Sequence, residues 1–169
     1  MSRKLPKIIT QEEFEQILKA EPKKVYKVAF TLGFEAGLRI SEVVGYKDHI
    51  KPLDKSNIEG NIIRVVSGKG RKDRIVPKPK RINAAAISLL PITLDRRSLE
   101  YRIKKLGKKV LNKDITFHTL RHGFGSHLAN KGMSLHQIQL LMGHENLATT
   151  GIYLHANPIE TINRALDLF

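Results

Sequence analysis

Six side chains spread along the sequence suit a single kind of chemistry: Arg39, Lys69, His118, Arg121, His144 and Tyr153. Two arginines can grip the non-bridging oxygens of a phosphate in bidentate fashion and stabilise charge as it develops. A tyrosine offers an oxygen nucleophile able to form a covalent intermediate. Histidine and lysine move protons, and a desolvated lysine beside arginines has a lowered pKa, which fits a general acid. The carboxylates are too scattered for a two-metal clamp. The set therefore points to phosphoryl transfer without a metal. Taken singly, each residue has a plainer role: Arg39 as a surface residue or partner of Glu42, and a lone His or Tyr as a hydrogen-bonded structural group. The argument rests on their convergence.

The elements that must position these residues are mostly helical. Thr10-Gln11-Glu12-Glu13 is a capping box that opens a helix to about Ala20. Pro22 is expected in the first turn of a longer helix reaching about Ala36, with Val25, Val28, Leu32 and Ala36 on its buried stripe. Gly37 stops it, Arg39 stands at the restart, and a short helix follows over residues 41–44. Residues 47–57 read as loop. Residues 62–66 and 74–76 read as a hairpin around a glycine-rich turn, ended by Pro77. Beyond it the pattern predicts helices at about 82–90, 96–110, 119–130, 134–142, 146–154 and 158–167. His118 and Arg121 share one helix face, Leu120, Phe124 and Leu128 take the buried side, and Gly123 and Gly125 thin the helix for a close approach. Thr149, Thr150 and Tyr153 lie together on a later helix. In the last helix Asn157 and Pro158 form the start, and Ile159, Ile162, Leu166 and Phe169 form an apolar stripe that must dock either in cis or on a neighbouring subunit. The fold class is α+β, mainly α with one small antiparallel sheet.

Composition narrows the partner. The 169 residues carry 30 Lys+Arg against 16 Asp+Glu, a net charge of +14 that favours a polyanion or an anionic membrane surface. The absence of cysteine excludes a disulfide framework, a thiol nucleophile and a thiolate metal site. No stretch approaches 18 apolar residues, so the expectation is a cytoplasmic protein without a membrane span or signal peptide. Eight basic residues against Asp73 alone fall between Arg64 and Arg81, and eight against two acidic ones between Asp95 and Lys113. From these runs Arg64, Arg71, Lys72, Arg74, Lys104, Lys105 and Lys108 are the expected DNA-backbone contacts.

Residue types alone do not choose among nuclease, topoisomerase and recombinase. The motifs do. Gly37-Leu38-Arg39-Ile40-Ser41-Glu42, Gly68-Lys69-Gly70-Arg71-Lys72-Asp73-Arg74-Ile75-Val76-Pro77, His118-Thr119-Leu120-Arg121-His122 and Leu141-Met142-Gly143-His144 with Tyr153 nine positions on resemble, in order, the boxes of the Xer-like tyrosine recombinase (phage integrase) catalytic domain. The resemblance implies that Tyr153 attacks a phosphodiester of double-stranded DNA to give a 3′-phosphotyrosyl link and a 5′-hydroxyl. It implies Arg39 and Arg121 as the phosphate clamp, His144 as a further donor, His118 as the proton acceptor and Lys69 as the acid toward the leaving oxygen. Neither cofactor, ATP nor metal is implied. His122 and His155 are expected to support the site, and Glu42 to brace the arginines.

The resemblance further implies a monomer when free, a homotetramer on DNA with C-terminal helix exchange between subunits, and roles such as integration, excision or chromosome dimer resolution. Family members carry a helical DNA-clamping domain ahead of this one. Residues 10–169 are accordingly expected to be the catalytic domain, and residues 1–9 a flexible lead or linker remnant. Two alternatives stay open: topoisomerase IB-like strand relaxation, and a DNA-binding domain without efficient catalysis.

Overall fold

The computed structural model describes residues 8–66, 73–143 and 158–169. Its first helix, α1 (Gln11–Ala20), starts at the expected capping box: Thr10 Oγ1 accepts the Glu13 amide at 3.2 Å while Glu13 accepts the Thr10 amide at 3.1 Å. Phe14, Ile17 and Leu18 face the core. Helix α2 (Lys24–Glu35) begins later than expected. Glu21 accepts the Lys23 amide at 2.9 Å and Lys23 is extended, so Pro22 lies before the helix rather than in its first turn.

Helix α2 is the central element, buried continuously from Val28 to Glu35. Helix α6 (Phe117–Asn130) packs along it. The close approach expected at Gly123 is real, and it is made by an aromatic ring: a Cβ there would lie 2.5 Å from the Phe34 ring and 3.2 Å from the Ile9 carbonyl. Ile9 is itself buried, so the core takes in the residue before the first capping box. Phe14 stacks on Phe34 with ring centroids 4.2 Å apart.

Between these helices run α3 (Ile40–Val44) and a three-stranded antiparallel sheet in the order β1 (Ile58–Glu59), β2 (Ile62–Val65), β3 (Arg74–Pro77). The expected hairpin is present with Val65 opposite Arg74 and Ile63 opposite Val76. Strand β1 adds a pair of residues, Ile58 opposite Ile63 and Glu59 opposite Ile62.

Helix α4 (Ala84–Ile87) is shorter than the expected 82–90, because Asn83 caps it through the Ala86 amide and the chain turns before Pro91. Helix α5 (Arg96–Leu106) does not run on as α-helix to 110. It widens into a π-helical segment, Gly107–Leu111, closed by Asn112 at φ +51°. Helix α6 starts two residues earlier than expected, capped by Thr116, so His118 sits in its first turn. Helix α7 (Leu135–Met142) has the Ser134–Gln137 capping box. The predicted helix at 146–154 and the Asn157 cap lie outside the described residues.

Helix α8 (Pro158–Asp167) docks in cis on β3 and α7. Ile162 and Ala165 are buried, and Phe169 stacks on His127 and Phe124 and meets Phe34 edge-on. His127 Nε2–H donates to the Leu168 carbonyl at 2.8 Å. Ile159, expected in the docking stripe, is 65% exposed instead; Ala165 takes part in its place.

Candidate active site

Arg39 is the residue before α3, with an extended backbone that leaves its amide unsatisfied by the helix. Glu42, at the third helical position, accepts that amide at 2.7 Å and an Arg39 guanidinium nitrogen at 2.9 Å. The same carboxylate takes Arg74 in bidentate fashion, at 2.8 and 2.9 Å. Glu42 is 4% exposed. Burial alone would raise its pKa, but the hydrogen bonds and charge of Arg74, then the amide and charge of Arg39, hold it down at about 2. Glu42 thus braces the arginines, as expected.

The C-terminus of α7 gathers the site. Gly143 closes the helix in the left-handed region at φ +59°, and a Cβ there would lie 2.9 Å from the Arg74 side chain. Three consecutive carbonyls then receive one arginine each. Arg74 Nε donates to Leu141 at 2.7 Å, Arg121 to Met142, and Arg39 to Gly143 at 3.2 Å. A helix C-terminus leaves its last carbonyls without intrahelical partners and carries partial negative charge, so it suits guanidinium groups. Arg121 also donates to the Gly37 carbonyl, which ties α6 to the turn before Arg39. Two of the three cations, Arg39 and Arg74, pair with the Glu42 carboxylate, and carbonyl dipoles receive all three. Of the three side chains Arg39 is the one partly open to solvent, at 25%; Arg121 is 2% exposed and the Arg74 side chain 7%.

His118 is exposed on the first turn of α6 and its ring meets that of His122 edge-on, with centroids 4.2 Å apart. Burial first, then the charges of His118 and Arg121, lower the His122 pKa, so its neutral form is favoured. The structure therefore brings together Arg39, Arg121 and Glu42. Lys69, His144 and Tyr153, with Arg71, Lys72, Thr149, Thr150 and His155, lie outside the described residues. Among the described residues no cluster of three His, Asp or Glu side chains could hold a metal.

The expected DNA contacts divide. Lys104, Lys105 and Lys108 are exposed on α5 and the π segment. Arg64 is exposed and paired with Glu59 at 3.0 Å. Arg74 departs from expectation: it turns inward to Glu42 and Leu141 rather than outward from the hairpin. Arg81 and Arg102 from the same basic runs are likewise engaged, with Glu15 and Glu35 and with Glu21.

Comparison with known proteins agrees with this geometry. The phage integrase family profile matches residues 87–160. A tyrosine recombinase of Thermosipho africanus is 35% identical, over 90% of this chain and 58% of its own length. Tyrosine recombinase XerA of Thermococcus kodakarensis is 34% identical, over 98% of this chain and 63% of its own. The chain is thus similar to tyrosine recombinases along nearly its whole length. It spans about three fifths of the length of these tyrosine recombinases. Two solved structures share the fold: a XerA recombinase, with TM-score 0.68, 25% identity and 96% of this chain covered against 64% of its own, and an integrase from mycobacterium phage Brujita, with TM-score 0.72, 25% identity and 100% covered against 61%. The fold is thus that of a tyrosine recombinase catalytic domain, and its α+β class agrees with the sequence reading. Sequence reasoning missed the inward role of Arg74. Its one signal was position, at the strand end directly before the apolar pair Ile75-Val76.

Proposed function

We propose that this chain is the catalytic domain of a site-specific recombinase that cuts and rejoins double-stranded DNA through a 3′-phosphotyrosyl intermediate. The observation that carries the reading is the meeting of Arg39 and Arg121, far apart in sequence, on the adjacent carbonyls of Gly143 and Met142. That spot immediately precedes His144 in the chain and Tyr153 follows nine residues later. In the proposed reaction the Tyr153 oxygen attacks phosphorus, passing its proton to His118. The bond from phosphorus to the 5′ oxygen breaks, and Lys69 protonates that oxygen. Arg39, Arg121 and His144 compensate the charge on the non-bridging oxygens. One phosphodiester is exchanged for another ester of similar energy, so the 5′-hydroxyl of a second duplex reverses the step without ATP.

Arg64, Lys104, Lys105 and Lys108 are proposed to follow the DNA backbone together with Arg71 and Lys72. A domain ahead of Ile9, which the core already takes in, would complete the grip. The chain is taken to act in the cytoplasm; among the described residues no helix is long and apolar enough to cross a membrane. We read the free protein as a monomer with α8 in cis, and the assembly on DNA as a tetramer in which α8 exchanges between subunits.

The test is capture of covalent adducts from a pool of nicked suicide duplexes with randomised cores. Wild-type protein should give an SDS-resistant adduct on a defined sequence. Tyr153→Phe should give none while binding that duplex within a few fold, since affinity comes from many basic contacts. An adduct that survives Tyr153→Phe would sink the assignment, and relaxation of plasmids without any sequence requirement would indicate a topoisomerase.

A further inference from the structure

Arg74 sits where three elements meet. It is the first residue of β3, its guanidinium takes both oxygens of Glu42 from α3, and its Nε reaches the Leu141 carbonyl at the end of α7. Its stem fills the space beside Gly143. The side chain is 7% exposed, so it is not placed to meet a phosphate from solvent. Its distance from the surface leaves the question of what so much buried hydrogen bonding accomplishes.

The answer lies in the sheet. Arg74 pairs with Val65 across β2 and β3, and these two residues are the feet of the connection that contains Lys69. Fastening Arg74 to Glu42 fastens one foot of that connection to the residue that also holds Arg39. We propose that Arg74 is a positioning residue that locks the base of the connection containing Lys69 to the Arg39–Glu42 pair, and that cleavage depends on this lock at the step that protonates the leaving oxygen. The proposal rests on the recombinase reading, because it takes Lys69 as the acid toward the leaving oxygen. A planar fork is needed for it: only a guanidinium can satisfy two carboxylate oxygens and a carbonyl together.

The experiment compares a normal duplex with one carrying a 5′-phosphorothiolate at the cleaved position, whose sulfur leaving group hardly needs protonation. Arg74→Lys keeps the charge beside Glu42 but cannot make all three bonds. Arg74→Gln, which leaves Glu42 paired to Arg39, serves as the second variant, and melting curves confirm that the protein assayed is folded. Cleavage of the normal duplex should fall by on the order of 100-fold, the scale of a small misplacement of a reacting group. On the sulfur substrate most of that loss should vanish, with duplex binding changed only a few fold. Arg39→Ala supplies the contrast, with one defect common to both substrates. Equal defects of a folded Arg74 variant on the two substrates, or no defect at all, would overturn the positioning role alone. Wild-type protein that forms no adduct with either duplex would overturn the recombinase reading, and this proposal with it.

Discussion

Glu42 and Arg74 form a two-pronged buried ion pair, 32 residues apart in sequence, with both carboxylate oxygens engaged at 2.8 and 2.9 Å. A carboxylate so enclosed costs desolvation and is sustained only by its partners. Its removal exposes the arginines to each other, and that cost sets the first expectation.

Glu42→Gln should destabilise the fold by roughly 3–5 kcal/mol, the range for breaking a buried pair. The pH dependence carries a sign. The folded pKa of about 2 lies below the ordinary value of 4.5, so the contribution of Glu42 is complete above pH 4.5 and is lost as pH falls through about 2. That contribution is on the order of 3 kcal/mol. Urea titrations of wild type and Glu42→Gln across this window should converge at the acid end; parallel curves would contradict the pairing.

Arg39→Ala and Arg121→Ala should each cost about 2–4 kcal/mol of transition-state stabilisation in single-turnover cleavage. Their effects on folding should differ. Arg121 is buried and its loss strands the carbonyls of Gly37 and Met142, so Arg121→Ala should lower the melting temperature more than Arg39→Ala does. Equal melting temperatures would show that Arg121 is not the tie between α6 and α7.

His122 gives a second pH signature. Its folded pKa lies below the ordinary 6.5, so the stabilisation of the neutral form is present above pH 6.5 and declines as pH falls through the folded value. His122→Gln should flatten this slope in melting temperature against pH. An unchanged slope would assign it to another group.

Ile162→Asp combined with Leu166→Asp should lower the melting temperature of the free chain, because Ile162 is 2% exposed in the core that α8 shares with α6 and α7. A normal melting temperature would show that α8 leaves this core in solution.

How much could be read in advance follows from the range of the forces involved. Thr10 with Glu13, and Ser134 with Gln137, are partners three residues apart, and their caps are legible because signal and structure are equally local. The Arg39 and His118–Arg121 boxes were legible through motif order. Strand β1 has only two residues, too few for an alternation to register, and the widening after Leu106 leaves the apolar spacing of α5 intact. Arg74 was expected on the outer face because it belongs to a basic run. Its acceptors lie 32 and 67 residues away, beyond the reach of any local pattern. Ile159 fits the helical stripe, but the docking surface ends before it.

The row of carbonyls at the end of α7 has an energetic meaning as well as a geometric one. A guanidinium in water is surrounded by dipoles that must reorient whenever an anion arrives. At Leu141, Met142 and Gly143 those dipoles are peptide groups already fixed in direction by the helix they end. On the proposed reading, the reorganisation that an approaching phosphate would otherwise have to drive is completed when the chain folds, and charge developing on it would meet guanidinium groups already held in place.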